Sequence, residues 1–196
     1  MESKYDAIVI GGSSGSIDSI IALLTNLPKT FHVPIIIVLH RMRNAESKLE
    51  NIFKFKSAVK KIKEADDKEP ILNGYIYVAP PNYHLIIEEN KCLSLDDSEL
   101  VNFSRPSIDV TFESAALAYK EKLIGILLSG SNNDGSEGLK KIKYYNGLTI
   151  VQDTKEAKSP TMPQNAIKLF RVDHIMKIKE IQTFLISLNN DQTNRK

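Results

Sequence analysis

Ala7-Ile8-Val9-Ile10-Gly11-Gly12-Ser13-Ser14-Gly15-Ser16 carries the signals of a strand, a tight loop and a helix start in immediate succession. The β-branched run favours a strand, and glycine with serine breaks it. Ile17, Ile20, Ile21, Leu23, Leu24 and Leu27 then recur at helical spacing until Pro28 ends the helix. The same unit returns along the chain. Residues 34–39 are apolar throughout, as a central strand covered on both faces would be, and run into His40-Arg41-Met42-Arg43, after which 45–55 reads as a helix. Residues 123–128 form a second apolar strand, followed by a loop over 130–138, a helix over 139–145 and a strand over 148–151. Strands alternating with helices in this way specify an α/β fold, a doubly wound and mostly parallel sheet flanked by helices in three layers.

Two segments depart from the repeat. The lysine-bearing run 58–63 suits an edge strand. After an apolar run at 75–79, segments 85–88 and 92–95, separated by Glu89-Asn90, predict an antiparallel hairpin. Pro106 then falls in the first turn of a helix bearing Val110, Phe112, Ala115, Ala116, Leu117 and Tyr119. Residues 189–196 form a polar, frayed tail. With no linker or repeat in between, residues 1–196 read as a single domain.

Composition excludes several classes. The 26 Lys+Arg nearly cancel the 24 Asp+Glu, so no nucleic-acid partner is expected, and the lysines at 54, 56, 60, 61 and 63 read as a solvated face. The single Cys92 rules out an internal disulfide and any zinc site of several thiolates. No apolar run approaches the ~20 residues of a membrane helix, and the polar start 1–6 is no secretory signal, so membrane insertion is not expected and the cytoplasm is.

Of the glycines, those at 11, 12, 15, 130, 135 and 138 crowd into two loops that directly follow apolar strands. In an open parallel sheet, functional groups gather beyond the carboxyl ends of the strands. Three such exits present Ser13 or Ser14, His40 and Asp134, the inventory of a Ser-His-Asp constellation. Gly11-Gly12-Ser13-Ser14-Gly15 fits G-x-S-x-G in a strand-to-helix setting, where a tight turn projects the hydroxyl and the new helix offers free N–H groups. The chain order Ser, His, Asp differs from that of α/β-hydrolases. Each residue also has a plain structural reading: Ser13, Ser14 and Ser16 as cap and turn, His40 as a strand-end histidine, and Asp134 with Glu137 as a capping box. A dinucleotide loop is disfavoured because serines stand at its glycine positions and the second strand ends in His40 instead of an acid. The histidines lack metal-ligand spacing, so neither a metal nor a cofactor is expected.

These residues resemble the catalytic domain of the CheB family, the chemotaxis protein-glutamate methylesterases, over about residues 6–180. Ile10-Gly11-Gly12-Ser13-Ser14-Gly15-Ser16 is similar to its I-G-A-S-T-G-G, His40-Arg41-Met42 to its H-M-P, and Tyr77-Val78-Ala79-Pro80-Pro81-Asn82-Tyr83-His84 to its Y-I-A-P-G-x-x-H. Pro106-Ser107-Ile108-Asp109 resembles P-S-V-D, residues 127–135 resemble L-L-T-G-M-G-x-D-G, and Gln152-Asp153 with Met162-Pro163 resembles the closing Q-D and M-P. The resemblance implies Ser13 as nucleophile, His40 as general base, Asp134 as the carboxylate orienting it, and an oxyanion held by N–H groups near Ser14 and Ser131. His84 would line the substrate cleft or cap the hairpin, and Arg105 would meet an acidic receptor helix or remain a solvated surface group. The implied substrates are methylated glutamyl residues on the cytoplasmic helices of chemoreceptors, with receptor glutamines as a further target and a separate regulatory or kinase partner. No receiver domain is expected, because the first strand begins at residue 7. Three departures stand out: Ser16 for a glycine, Arg41-Met42-Arg43 without the family's proline, and Ser131-Asn132 for Met-Gly. The competing expectations are a non-catalytic interaction module of this fold and a serine esterase for another ester.

Overall fold

The most apolar segments lie at the centre of one parallel sheet, because a strand covered on both faces has no solvent side on which to place polar residues. Strands β1 (Ala7–Gly12), β2 (Ile35–Leu39) and β7 (Leu123–Leu127) are buried along their whole lengths. The computed structural model describes residues 4–40 and 49–193. In chain order the remaining elements are α1 (Ser16–Thr25), α2 (Leu49–Lys56), β3 (Ile62–Glu64), β4 (Ile76–Val78), β5 (His84–Ile87), β6 (Leu93–Asp96), α3 (Ile108–Tyr119), α4 (Ser136–Tyr144), β8 (Leu148–Gln152), α5 (Thr161–Leu169), β9 (His174–Met176) and α6 (Ile178–Thr193).

Seven strands pair in the order β3-β4-β2-β1-β7-β8-β9, every pair parallel. The two-residue period of the strands divides the core into two halves. Ile8 and Ile10 face α1, α2 and α6 through Leu23, Phe53, Ile181 and Leu185. Ala7 and Val9 face α3, α4 and α5 through Phe112, Leu139 and Met162. From β1 the chain winds toward β2, and from β7 it winds the other way toward β8, so the reversal lies between β1 and β7. Such a reversal opens a crevice beyond the strand ends, because the connections leave in opposite directions.

The sequence reading and the structure differ in detail. The lysine-bearing edge strand is confined to Ile62–Glu64. The hairpin β5-β6 is a separate two-stranded sheet and joins no edge of the main one. It packs on α3, where Thr111 Oγ1 donates to the Leu85 carbonyl at 2.6 Å and Ser114 Oγ accepts from Ile87 N at 3.1 Å. Pro106 precedes the α3 N-cap, Ser107, and is not in the first helical turn. Helix α4 starts at Ser136 and takes in Gly138, which the sequence reading leaves in a loop. The helix expected over 45–55 is observed as Leu49–Lys56, and residues 41–48, with the Arg41-Met42-Arg43 departure, lie outside the described residues. The sequence reading assigns no elements over α5, β9 and α6, although Ile178, Ile181, Phe184, Leu185 and Leu188 recur at helical spacing in α6. In place of a frayed tail from 189, α6 continues to Thr193, and Asn189 is buried with its amide donating to Thr30 Oγ1 at 3.1 Å; residues 194–196 lie outside the described set.

Candidate active site

Parallel register carries the two expected strand-end residues to the same place. Gly12 pairs with Leu39 in the β1-β2 ladder, and one step further His40 N donates to the Gly12 carbonyl at 3.3 Å. Ser13 is therefore the register neighbour of His40. On its other side Ser13 N donates to the Ser129 carbonyl at 2.9 Å, extending the contact with β7.

Ser13 does not cap α1. The N-cap is Gly15, at φ 80°, and no side chain bonds the first-turn N–H groups. A Cβ at Gly15 would lie 2.6 Å from Lys158 Cβ, so both the left-handed backbone and the close approach require glycine there. The Ser13 carbonyl accepts from Ser16 N at 3.1 Å and from Ser16 Oγ at 2.6 Å. Ser16, the first departure, thus braces the turn from inside, fully buried. Ser129 Oγ donates to the Ser14 carbonyl at 2.7 Å, clamping the turn to the β7 exit. Ser14 and Ser131 are exposed, and the backbone N–H of neither donates to an acceptor among the described residues.

His40 Nε2 lies 2.7 Å from Asp134 Oδ2, with the imidazole side chain 14% exposed and the carboxylate fully buried. Asp134 does not cap its own helix, whose N-cap is Gly135 without a side-chain bond. It caps α3 instead: Ile108 N donates to Oδ2 at 2.7 Å and Asp109 N to Oδ1 at 3.1 Å. Ser107 Oγ and Asn102 Nδ2 also donate to Oδ1, each at 2.8 Å. A carboxylate so supplied at a helix N-terminus is held in its charged form. Burial pushes the Asp134 carboxyl up, but the bonds from His40, Asn102 and Ile108 N outweigh it and leave the group below its ordinary range. Histidine and serine sit on the exposed side of this anchor.

Among the described residues no hydrogen bond joins Ser13 Oγ to His40. The His40–Asp134 pair is assembled, and Ser13 stands beside it on the neighbouring strand.

His84 belongs to the support of this site and not to its open face. It is 1% exposed; Nε2 lies 2.9 Å from the Glu99 carbonyl and Nδ1 accepts from Ser107 N at 3.2 Å. With both nitrogens engaged, the ring ties β5 to the residue that donates to Asp134. Arg105 is half-buried, and its guanidinium donates to the carbonyls of Asp97 and Ser98, closing the loop before α3.

Two further participants escaped the sequence reading. Asn102 lies in a polar stretch without periodicity, yet its amide bridges Asp134 Oδ1 and Asp109 Oδ2, each at 2.8 Å. Asp109, 7% exposed, accepts from Gly138 N at 2.7 Å and so caps α4 as Asp134 caps α3. The Pro106-Ser107-Ile108-Asp109 motif was the available signal for Asp109; none marked Asn102. No three metal-ligating side chains converge among the described residues.

A family model described as CheB methylesterase matches residues 8–185. A Leptospira interrogans protein, provisionally named a protein-glutamate methylesterase/protein-glutamine glutaminase, is 47% identical over 191 residues, 97% of each chain. A Thermotoga maritima protein-glutamate methylesterase/protein-glutamine glutaminase is 33% identical over 184 residues, 92% of this chain but 53% of the relative, so the chain spans about half of that protein. The crystal structure of the Thermotoga maritima CheB methylesterase catalytic domain superposes with a TM-score of 0.88 at 33% identity, covering 94% of this chain and 98% of that one.

Proposed function

The chain belongs to the CheB methylesterase family, and from that premise we propose that it hydrolyses glutamyl γ-methyl esters on the cytoplasmic helices of chemoreceptors, with Ser13 as nucleophile, His40 as general base and Asp134 as the group that orients His40. The observation that carries this reading is the buried Asp134, bonded to His40 at 2.7 Å one register step from Ser13. With Nε2 engaged by Asp134, Nδ1 is the nitrogen left for the serine hydroxyl. Adjacent strands are ~5 Å apart, and catalysis requires Ser13 Oγ to turn toward Nδ1 while the His40–Asp134 bond is kept.

Ser13 Oγ attacks the ester carbonyl as its proton passes to His40, and the oxyanion takes the N–H groups of Ser14 and Ser131. Replacement of Met-Gly by Ser131-Asn132 leaves such donors in place, because they belong to the backbone. Collapse of the adduct breaks the acyl C–O bond, and His40 returns the proton to the departing methoxide, releasing methanol. Water, deprotonated by His40, then attacks the acyl carbon; the acyl–Oγ bond breaks, His40 returns the proton to Ser13 Oγ, and the glutamate carboxylate leaves. A glutamine carboxamide enters the same cycle with ammonia as leaving group, in keeping with the double name of the relatives.

The test is methanol release from methylated receptor fragments by the wild type and Ser13→Ala, both verified as folded by circular dichroism. Turnover should fall by about 10⁴-fold to 10⁶-fold in the variant. Equal release by the two proteins overturns the assignment. Retained receptor binding at background release in both would favour the interaction module.

A further inference from the structure

The turn that feeds Asn102 into the site presents an aromatic ring to solvent on its other side. Val101 and Ser104 bond each other at 2.9 and 3.3 Å, and the two residues between them both have positive φ, Asn102 at 52° and Phe103 at 59°. A turn of this shape welcomes asparagine at its first central position and glycine at its second. Phenylalanine at the second position is conformationally unfavourable. Phe103 is also 99% exposed, so it contributes nothing to the core. Single exposed apolar residues are ordinary; full exposure, a left-handed backbone and direct attachment to the site rarely coincide, and residues held in such conformations cluster where binding uses them.

The attachment is short. Asn102, the preceding residue, donates to Asp134, and Asp134 holds His40. Leu100, at 41% exposure, and Val101, at 36%, extend the apolar surface along the same loop. Tyr83, at 41%, adjoins it, since the next residue, His84, bonds the Glu99 carbonyl. Arg105 closes the base of the loop, so the ring rides on a braced support.

We propose that Phe103 is the apolar anchor on which the protein substrate docks, receiving an apolar side chain of the segment that carries the esterified glutamyl residue. This rests on the methylesterase reading above. A methyl ester is too small to identify its protein, so recognition needs contacts beyond the reacting group, and an aromatic ring on a rigid turn is the kind of residue that dominates such contacts. The patch runs on from the hydrogen-bond network of the site, which commits it to the substrate chain in preference to a second copy of the enzyme.

Phe103→Gly suits the turn and should raise the melting temperature, so loss of folding cannot mimic the effect. On a methylated receptor fragment its KM should rise about tenfold or more with kcat within twofold, and the ratio of kcat/KM for the fragment to that for p-nitrophenyl acetate should fall by the same factor. Phe103→Trp should restore both. Binding of the unreacted fragment, measured by calorimetry in a Ser13→Ala background, should weaken to match when Phe103→Gly is added. An unchanged ratio with unchanged binding overturns the proposal, as does sedimentation showing a wild-type dimer that Phe103→Gly dissociates. Wild type that binds the fragment through Phe103 but releases no methanol would sink the methylesterase reading and leave the docking site standing.

Discussion

At the scale of single residues, the site depends on two buried aspartates whose carboxyls are shifted in opposite directions. Asp134 collects donors and stays ionised, whereas the Asp109 carboxyl is raised to about 7, chiefly by burial; the Gly138 N–H pulls it down, and the neighbouring Asp134 charge adds a lesser push upward. Between its ordinary value of 3.8 and about 7, the folded protein therefore binds more protons at Asp109 than the unfolded chain does, and this contribution to stability falls as pH rises through that window. Asp134 works in the other direction: its contribution is present above the ordinary carboxylate range and lost on acidification through its lowered folded value. Asp109→Asn removes only the first effect. From pH 5 to pH 8 its stability relative to wild type should improve by on the order of 2 kcal/mol, whatever constant cost the altered hydrogen bonds add. Urea denaturation at both pH values checks this, and parallel pH curves for the two proteins would refute it.

At the scale of elements, the chemistry is organised by the crossing of α3 and α4, each N-terminus capped by an aspartate from the other's flank. Such reciprocal capping needs close backbones, and Gly138 permits it. A Cβ there would fall 2.6 Å from Phe112 Cβ and 3.0 Å from both Cα and O of Asp109. On an isolated helix, glycine to alanine gains about 1 kcal/mol. Here the added methyl meets backbone that cannot yield without separating the helices, and overpacking of that kind costs ~1–3 kcal/mol, occasionally more. Gly138→Ala should thus destabilise by a net ~1–2 kcal/mol and lower the melting temperature by about 3–6 °C. Calorimetry decides the sign: a rise would mean that α3 and α4 part freely and that the mutual capping is not rigid.

At the scale of the whole molecule, each face of the sheet carries its own half of the core, and the helices that hold Asp134 cover only one of them. Helix α6 covers the α1 face through Ile181 and Leu185, both fully buried, while α3 and α4 cover the other. Asn26 Nδ2 donates to Gln182 Oε1 at 3.3 Å, and Gln182 donates to the Ala22 carbonyl, fastening α6 to α1 far along the chain. Leu185→Ala should cost about 2–5 kcal/mol, as emptied leucine sites do, and lower the melting temperature by about 5–15 °C. Methanol release per folded molecule at 20 °C should stay within about twofold of wild type, because the cavity opens away from α3 and α4. A large loss of kcat with retained folding would show that the two faces are coupled through the sheet.

What the amino-acid sequence determined by itself is what neighbouring residues decide. β-branched runs make strands, the Gly-Ser loop turns after Ile10, and Ser13, His40 and Asp134 stand at strand exits that the α/β rules bring to one side of a sheet. The family motifs are legible for the same reason, each being a short local run. The tertiary structure alone decided which helix Asp134 caps. Asp134-Gly135-Ser136-Glu137 reads locally as the start of α4, yet the carboxylate serves α3, because the two helices cross and the N–H groups of Ile108 and Asp109 reach it first. Asn102 and the buried role of His84 were equally out of reach, since each bonds a residue 15 or more positions away and leaves no period in the sequence. Local patterns report backbone preference and burial; partners across a crevice follow from packing, and packing is a property of the assembled sheet and helices.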